Sequence, residues 1–267
     1  MNQKDFKKDL RILSIGNSFS VDTMTHLANV ARSAGVESIR LGNLFVGGCS
    51  VRKHYAHVEA DLPAYTYYTN RGEGWESTPE VSVKTAIESD AWDWISIQHG
   101  TGDGSRYTDP ASYEKLPLLI EYVKALAPKA RIAFNMTWVW EPDHNHHEMR
   151  SYAGDTAAFY RNLTTLTRDL ILPTKGLDTV SPTGTAVQNT RTATSTVLTR
   201  DKFHLSGGFG RYIAALTFFE ALTGIGTDQV AWKPESVSDE EAAIARAAAH
   251  AAVLRPFEIT DLSKSSS

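Results

Sequence analysis

Ser18, Asp201 and His204 are the residues of this chain whose types could carry out nucleophilic chemistry together. A serine hydroxyl attacks a carbonyl only if a base removes its proton, and the base needs an acid to fix its tautomer. Asp201-Lys202-Phe203-His204 supplies such a pair, because a D-x-x-H spacing can place both groups on one turn. Ser18 lies in Gly16-Asn17-Ser18-Phe19-Ser20, just after an apolar run and before a helical pattern, so its own N–H could meet a developing oxyanion. Gly48, in Val46-Gly47-Gly48-Cys49-Ser50, could free a second N–H by close backbone approach. The amide of Gln98, in Ile97-Gln98-His99-Gly100, could be a third donor. Each block has a plainer reading: a helix cap for Ser18, a surface or packing histidine for His204, a loop glycine for Gly48, and a loop-bonding amide for Gln98.

These residues need elements to bring them together. Short apolar runs end at each of the first blocks: Ile12–Ile15 before Gly16, Ser38–Val46 before Gly47, and Trp92–Ile97 before Gln98. A fourth run spans Arg131–Trp138, and a weaker fifth spans Leu177–Val180. Helical spacing follows at 21–34, 111–127, 152–170, 206–222 and 238–254, with Ser238 and Glu241 as a capping box. Alternating apolar runs and helices imply a parallel sheet flanked by helices. In such sheets ligands bind at the carboxyl ends of the strands, where the blocks fall. Residues 53–80 break the rhythm. Tyr65, Tyr67, Tyr68 and Trp75 surround the turn signal Asn70-Arg71-Gly72, which reads as a β-hairpin or aromatic flap inserted after the second strand.

The ordered set resembles the SGNH (GDSL-type) hydrolases, which carry a nucleophile block, a glycine block, an amide block and a late D-x-x-H block. Within that superfamily it is similar to a branch that begins GNSxS and has a W-D-x-V/I-x-x-Q third block, matched here by Trp92-Asp93-Trp94-Ile95-Ser96-Ile97-Gln98. The resemblance implies a three-layer α/β/α sandwich with a central, mostly parallel five-stranded sheet, flavodoxin-like in type. It implies a serine esterase acting on short-chain esters, acetyl above all, carried on a carbohydrate. Its triad would be Ser18, Asp201 and His204, and its oxyanion hole Ser18, Gly48 and Gln98. Asn17 stands where the superfamily has Asp, and Gly102 where it has the third-block Asn, so Gln98 inherits that Asn's role. Asn17, His99, Tyr67, Trp75, Trp138 and Trp140 are the candidate substrate-binding residues, although the aromatic ones could equally pack the flap and sheet edge.

The 267 residues are expected to form one domain, with a disordered tail at about 262–267. There are 27 basic and 31 acidic residues, a net charge of -4, so nothing basic points to nucleic acid or anionic lipid. One cysteine, Cys49, rules out an internal disulfide. No signal peptide or membrane segment is visible, and a cytoplasmic location is expected. No cofactor and no metal are expected. Two rival functions use other features. A non-catalytic carbohydrate-binding protein would use the aromatic flap. A metal-dependent hydrolase would use Asp143-His144-Asn145-His146-His147-Glu148. A flavodoxin-like ligand binder is disfavoured because no G-x-G-x-x-G follows the first strand.

Overall fold

The apolar runs lie side by side in one sheet, as expected of strands buried on both faces. The computed structural model describes residues 6, 8–100, 103–104 and 106–263. Its strands are β1 (Asp9–Gly16), β2 (Ser38–Phe45), β3 (Tyr65–Asn70), β4 (Trp75–Val81), β5 (Trp94–Gln98), β6 (Arg131–Asn135) and β7 (Thr179–Ser181). They are ordered β4-β3-β2-β1-β5-β6-β7. Strands β2, β1, β5, β6 and β7 are mutually parallel. The register that sets Gly16 beside Phe45 and Ile97 beside Ile15 brings three block-bearing strands to a common carboxyl edge.

The expected five-stranded sheet is therefore extended to seven. Strands β3 and β4 form an antiparallel hairpin that pairs onto the β2 edge. Its turn is fixed by Gly72 N–H donating to Asn70 Oδ1 at 2.7 Å. Aromatic and threonine residues at alternating positions favour this pairing, and the hairpin covers an edge that β2 would otherwise expose. The beginning of the 53–80 segment is helical instead, because Ser50 caps a helix by accepting from Lys53 N–H.

The helices are α1 (Ser18–Met24), α2 (Leu27–Ser33), α3 (Val51–Glu59), α4 (Val83–Glu88), α5 (Leu116–Leu126), α6 (His147–Ser151), α7 (Thr156–Leu166), α8 (Thr183–Ala193), α9 (Phe209–Thr223) and α10 (Asp239–Leu254). One group, α1, α2, α8, α9 and α10, and a second, α3, α4 and α5, flank the sheet. The capping box at Ser238 is formed in both directions. The helix expected over 21–34 is broken at Thr25-His26 and begins earlier, at Ser18. Helix α8 has the poor helix-forming sequence TGTAVQNTRTA, and its first eight residues are buried, so packing overrides propensity there.

The described residues run to Ser263. Leu262 is buried, and its N–H donates to Thr192 Oγ1 at 2.9 Å. Residues 264–267 of the expected tail, and Thr101 and Gly102 of the third block, lie outside the described residues. Among the described residues no helix is long and apolar enough to cross a membrane.

Candidate active site

Asn17 caps α1, its Oδ1 accepting from Phe19 N–H at 3.0 Å. This leaves the neighbouring Ser18 hydroxyl uncommitted to capping. Ser18 Oγ instead lies 2.8 Å from His204 Nε2, a contact across 186 positions of sequence. His204 Nδ1 lies 2.7 Å from Asp201 Oδ2. The other carboxylate oxygen of Asp201 accepts from the N–H groups of Phe203 and His204, at 3.1 and 2.6 Å. Burial opposes ionisation of Asp201, but these bonds from ring and backbone outweigh it and hold the carboxyl below its ordinary range. The D-x-x-H segment is thus a self-contained turn, with Lys202 in the left-handed region at φ +67°.

The loop also has outside supports. Trp138 Nε1–H donates to Phe203 O at 2.8 Å, and Glu141 N–H donates to Lys202 O at 2.9 Å. Phe19 packs edge-on against Trp138, with ring centres 4.7 Å apart, and against Phe203 at 4.8 Å.

A cavity of about 430 Å³ opens beside Ser18 and His204. Besides these two it is lined by Asn17, Phe19, Gly47, Gly48, Gly100, Tyr107, His146 and Phe203. Gly48 is at φ +61°, a conformation that a side chain would oppose. Gly100 is required by close approach: a Cβ there would stand 1.9 Å from Cys49 O. Phe203, which sits inside the D-x-x-H block, is the lining residue that motif spacing could have revealed. Tyr107 comes from a loop with no such signal, and His146 from the 143–148 cluster that stood out only as a possible metal group.

Several expected site residues have other roles. Gln98 is buried and does not line the cavity; its Nε2–H donates to Asn17 Oδ1 at 2.6 Å. In this position it orients Asn17. Asn17 reaches the cavity wall, but its side chain is fully committed to the scaffold. Its Nδ2–H group donates to Cys49 O at 3.1 Å and to His99 O at 2.9 Å. His99, Trp138 and Trp140 are wholly buried and form the layer beneath the cavity. Tyr67 points elsewhere, its hydroxyl 3.1 Å from Ser89 Oγ. Trp75 lines a separate pocket of about 240 Å³ with Val21, Met24, Thr25, Asn43 and Tyr68.

The 143–148 cluster diverges. Glu148 is buried and accepts from Tyr107 N–H and Thr108 Oγ1–H at 2.8 and 2.7 Å. Asp143 pairs with Lys202, and His144 stacks on Phe203. The Nδ1 atoms of His144 and His146 each accept a backbone N–H, from His146 and Glu148. Among the described residues, no three His, Cys, Asp or Glu side chains converge as a metal-holding group.

Burial pushes the imidazoles of His99 and His54 down to about 3. In the unfolded chain they titrate near 6.5. As pH falls below 6.5 the unfolded state takes up protons that the folded state refuses, so stability drops continuously toward pH 3. The urea midpoint is expected to fall between pH 6.5 and 4. The fall should be shallower in His99→Asn, whose Oδ1 can take over Nδ1 as acceptor for Thr137 N–H. Equal slopes in the two proteins would remove His99 from the account.

The model of DUF4886, a domain of unknown function, matches residues 11–252. The chain is similar to a DUF4886 family protein from Bacteroides uniformis, whose crystal structure superposes with a TM-score of 0.90 at 29% identity, covering 96% of this chain and 99% of that one. A protein from Parabacteroides merdae described as a GDSL-like lipase shares the fold, with a TM-score of 0.50 at 18% identity over 82% of this chain and 98% of its own. No curated protein matches. The chain belongs to the DUF4886 family.

Proposed function

We propose that this member of the DUF4886 family is a serine esterase of SGNH type that hydrolyses short-chain, acetyl-like esters carried on a carbohydrate. The observation that carries this reading is the continuous line from Asp201 through His204 to Ser18, with contacts of 2.7 and 2.8 Å, at the mouth of a cavity.

In this mechanism His204 Nε2 takes the Ser18 hydroxyl proton as Oγ attacks the ester carbonyl. Asp201 holds the ring with Nδ1–H donating, so that Nε2 is the free base, and stabilises the imidazolium as it forms. The backbone N–H groups of Ser18 and Gly48 receive the oxyanion of the tetrahedral intermediate. Protonated His204 gives its proton to the departing alcohol, leaving an acyl-Ser18 ester. Water, deprotonated by His204, then attacks this ester and releases the acid. His204 returns that proton to Ser18 Oγ as the acyl bond breaks, so the enzyme is regenerated and one water is consumed per ester. The direct test is reaction with a fluorophosphonate followed by mass spectrometry. Label on Ser18 supports the reading; label elsewhere, or none, together with no turnover of p-nitrophenyl acetate, sinks it.

The carbohydrate part rests on the pocket formed by Trp75 and Tyr68 with Val21, Met24 and Thr25, beside the helix that starts at Ser18. An aromatic face paired with the polar amide of Asn43 suits a sugar ring. Trp75→Ala is expected to lower the ratio of kcat/KM for an acetylated oligosaccharide to that for p-nitrophenyl acetate. Losing one stacking contact predicts a drop of about tenfold. An unchanged ratio would dissociate this pocket from the substrate.

A further inference from the structure

The D-x-x-H turn fixes Asp201 against His204 locally, but nothing inside the turn fixes His204 against Ser18. That second distance must be set by whatever ties the turn to helix α1. Phe19 packs on Phe203 and His204, but the charged tie by hydrogen bonds comes from another side chain of the nucleophile's own helix. Asp22 lies four residues after Ser18, on the same face of α1 and about 6 Å along its axis.

Asp22 is wholly buried, and both its oxygens are occupied. Oδ2 accepts from the N–H of Leu205, the residue bonded to His204, at 2.9 Å. Oδ1 accepts from Arg200 Nη1–H at 2.9 Å and from Arg211 Nε–H at 2.8 Å. Arg200 immediately precedes Asp201, and it also donates to Leu205 O. Its backbone N–H closes the turn by donating to His204 O at 2.9 Å. Arg211 comes from α9. One carboxylate therefore joins the nucleophile's helix, both ends of the base-bearing turn and a second helix, α9. Trp138 and Glu141 hold the outer half of the turn, at Phe203 and Lys202; Asp22 holds the half adjoining the base.

We propose that Asp22 is a positioning residue of the esterase site: together with Arg200 and Arg211 it sets the separation of Ser18 Oγ from His204 Nε2. The inference rests on the esterase reading above. A buried carboxylate is tolerated only with full pairing, so the clamp is an all-or-none unit. Charge-assisted bonds give it the stiffness needed to hold a donor–acceptor pair within hydrogen-bonding range. A displacement of about 1 Å in a reacting pair can lower the rate by about 100-fold.

The test compares Asp22→Asn with Glu220→Gln. Glu220 is a buried carboxylate on α9, bonded to His250 Nδ1 at 2.6 Å and to Thr227 N–H, with no link to the turn. Three readouts are taken: thermal midpoint, kcat and KM for p-nitrophenyl acetate, and the second-order rate of fluorophosphonate labelling at Ser18. Asp22→Asn keeps the size of the side chain but leaves two guanidinium groups without their counter-charge. Its kcat and its labelling rate are both expected to fall about 10- to 100-fold, with KM held. Glu220→Gln should lose thermal stability while keeping kcat and labelling.

Wild-type kcat and labelling in Asp22→Asn would overturn the proposal, as would equal losses in the two variants. If Asp22→Asn does not fold, Arg200→Gln decides, because Arg200 is partly exposed and its removal opens the same clamp. A folded Arg200→Gln with wild-type kcat and labelling overturns the proposal; a folded one that loses both supports it. Failure of the wild-type protein itself to label at Ser18 would instead strike the esterase reading, and the two failures are thereby distinct.

Discussion

Ser18→Ala is expected to lower ester turnover by about 10⁴-fold or more and to eliminate fluorophosphonate labelling, with little change in thermal midpoint. The size of the effect follows from the role of the atom removed. Without Oγ there is no acyl-enzyme, and His204 can at best activate water directly, a slower route with the oxyanion donors still present. The small effect on stability follows from its surroundings. Asn17, and not Ser18, caps the helix, and among the described residues the hydroxyl's hydrogen bond is to His204. Alanine is also the better helix former. His204→Ala should lower kcat to a similar degree, and combining the two should add little, because nucleophile and base act as a unit. Turnover of Ser18→Ala within tenfold of wild type, on protein free of contaminating esterase, would place the chemistry elsewhere.

Asn17→Asp is expected to lower both stability and activity although the two side chains are nearly isosteric. The superfamily that the sequence resembles has Asp at this point, so the substitution would restore the familiar GDS triplet. Here Asn17 ties together the three loops at the carboxyl edge of the sheet. Its Oδ1 accepts from Phe19 N–H and from Gln98 Nε2–H, and its Nδ2–H group donates to the carbonyls of Cys49 and His99. An aspartate keeps the first two bonds and turns the last two into contacts between oxygens. Two buried acceptors left unpaired cost about 2–6 kcal/mol before any charge repulsion is counted, or roughly 5–20 °C of thermal midpoint for a chain of this size.

The loops bearing Gly48 and Gly100 would also separate, so kcat/KM should fall by about 10²-fold. The pH dependence supplies a signature. A buried carboxylate facing carbonyls has its pKa raised above the unfolded value, so the variant regains stability as pH falls toward protonation. The wild type loses stability over the same acid range, through His99 and His54. The gap between the two proteins should therefore narrow on acidification. A gap that widens, or an undamaged variant at pH 7, would contradict this account of Asn17.

Sequence alone determined the features whose cause is local. Runs such as Ile12–Ile15 and Trp94–Ile97 are apolar throughout because parallel strands are buried on both faces, and this made the sheet legible. The Asp201–His204 pair was legible because three residues suffice to close its turn. The capping box at Ser238 was legible for the same reason. Which partner a buried polar side chain finds is a different matter, since it depends on what the fold brings near. Gln98 stands at the end of its strand as expected, yet it points at Asn17, whose side-chain Oδ1 accepts its hydrogen bond. Trp138 and Trp140 are candidate substrate-binding residues by sequence. They lie beneath the cavity, because a large apolar ring is more stable in the core than on a wet rim. Asp22 carried no motif at all, since its meaning lies in two arginines and an N–H some 180 residues away. Composition and spacing report burial and local turns. Only the folded chain decides which distant group satisfies each buried polar atom, and here that choice sets the geometry between Ser18 and His204.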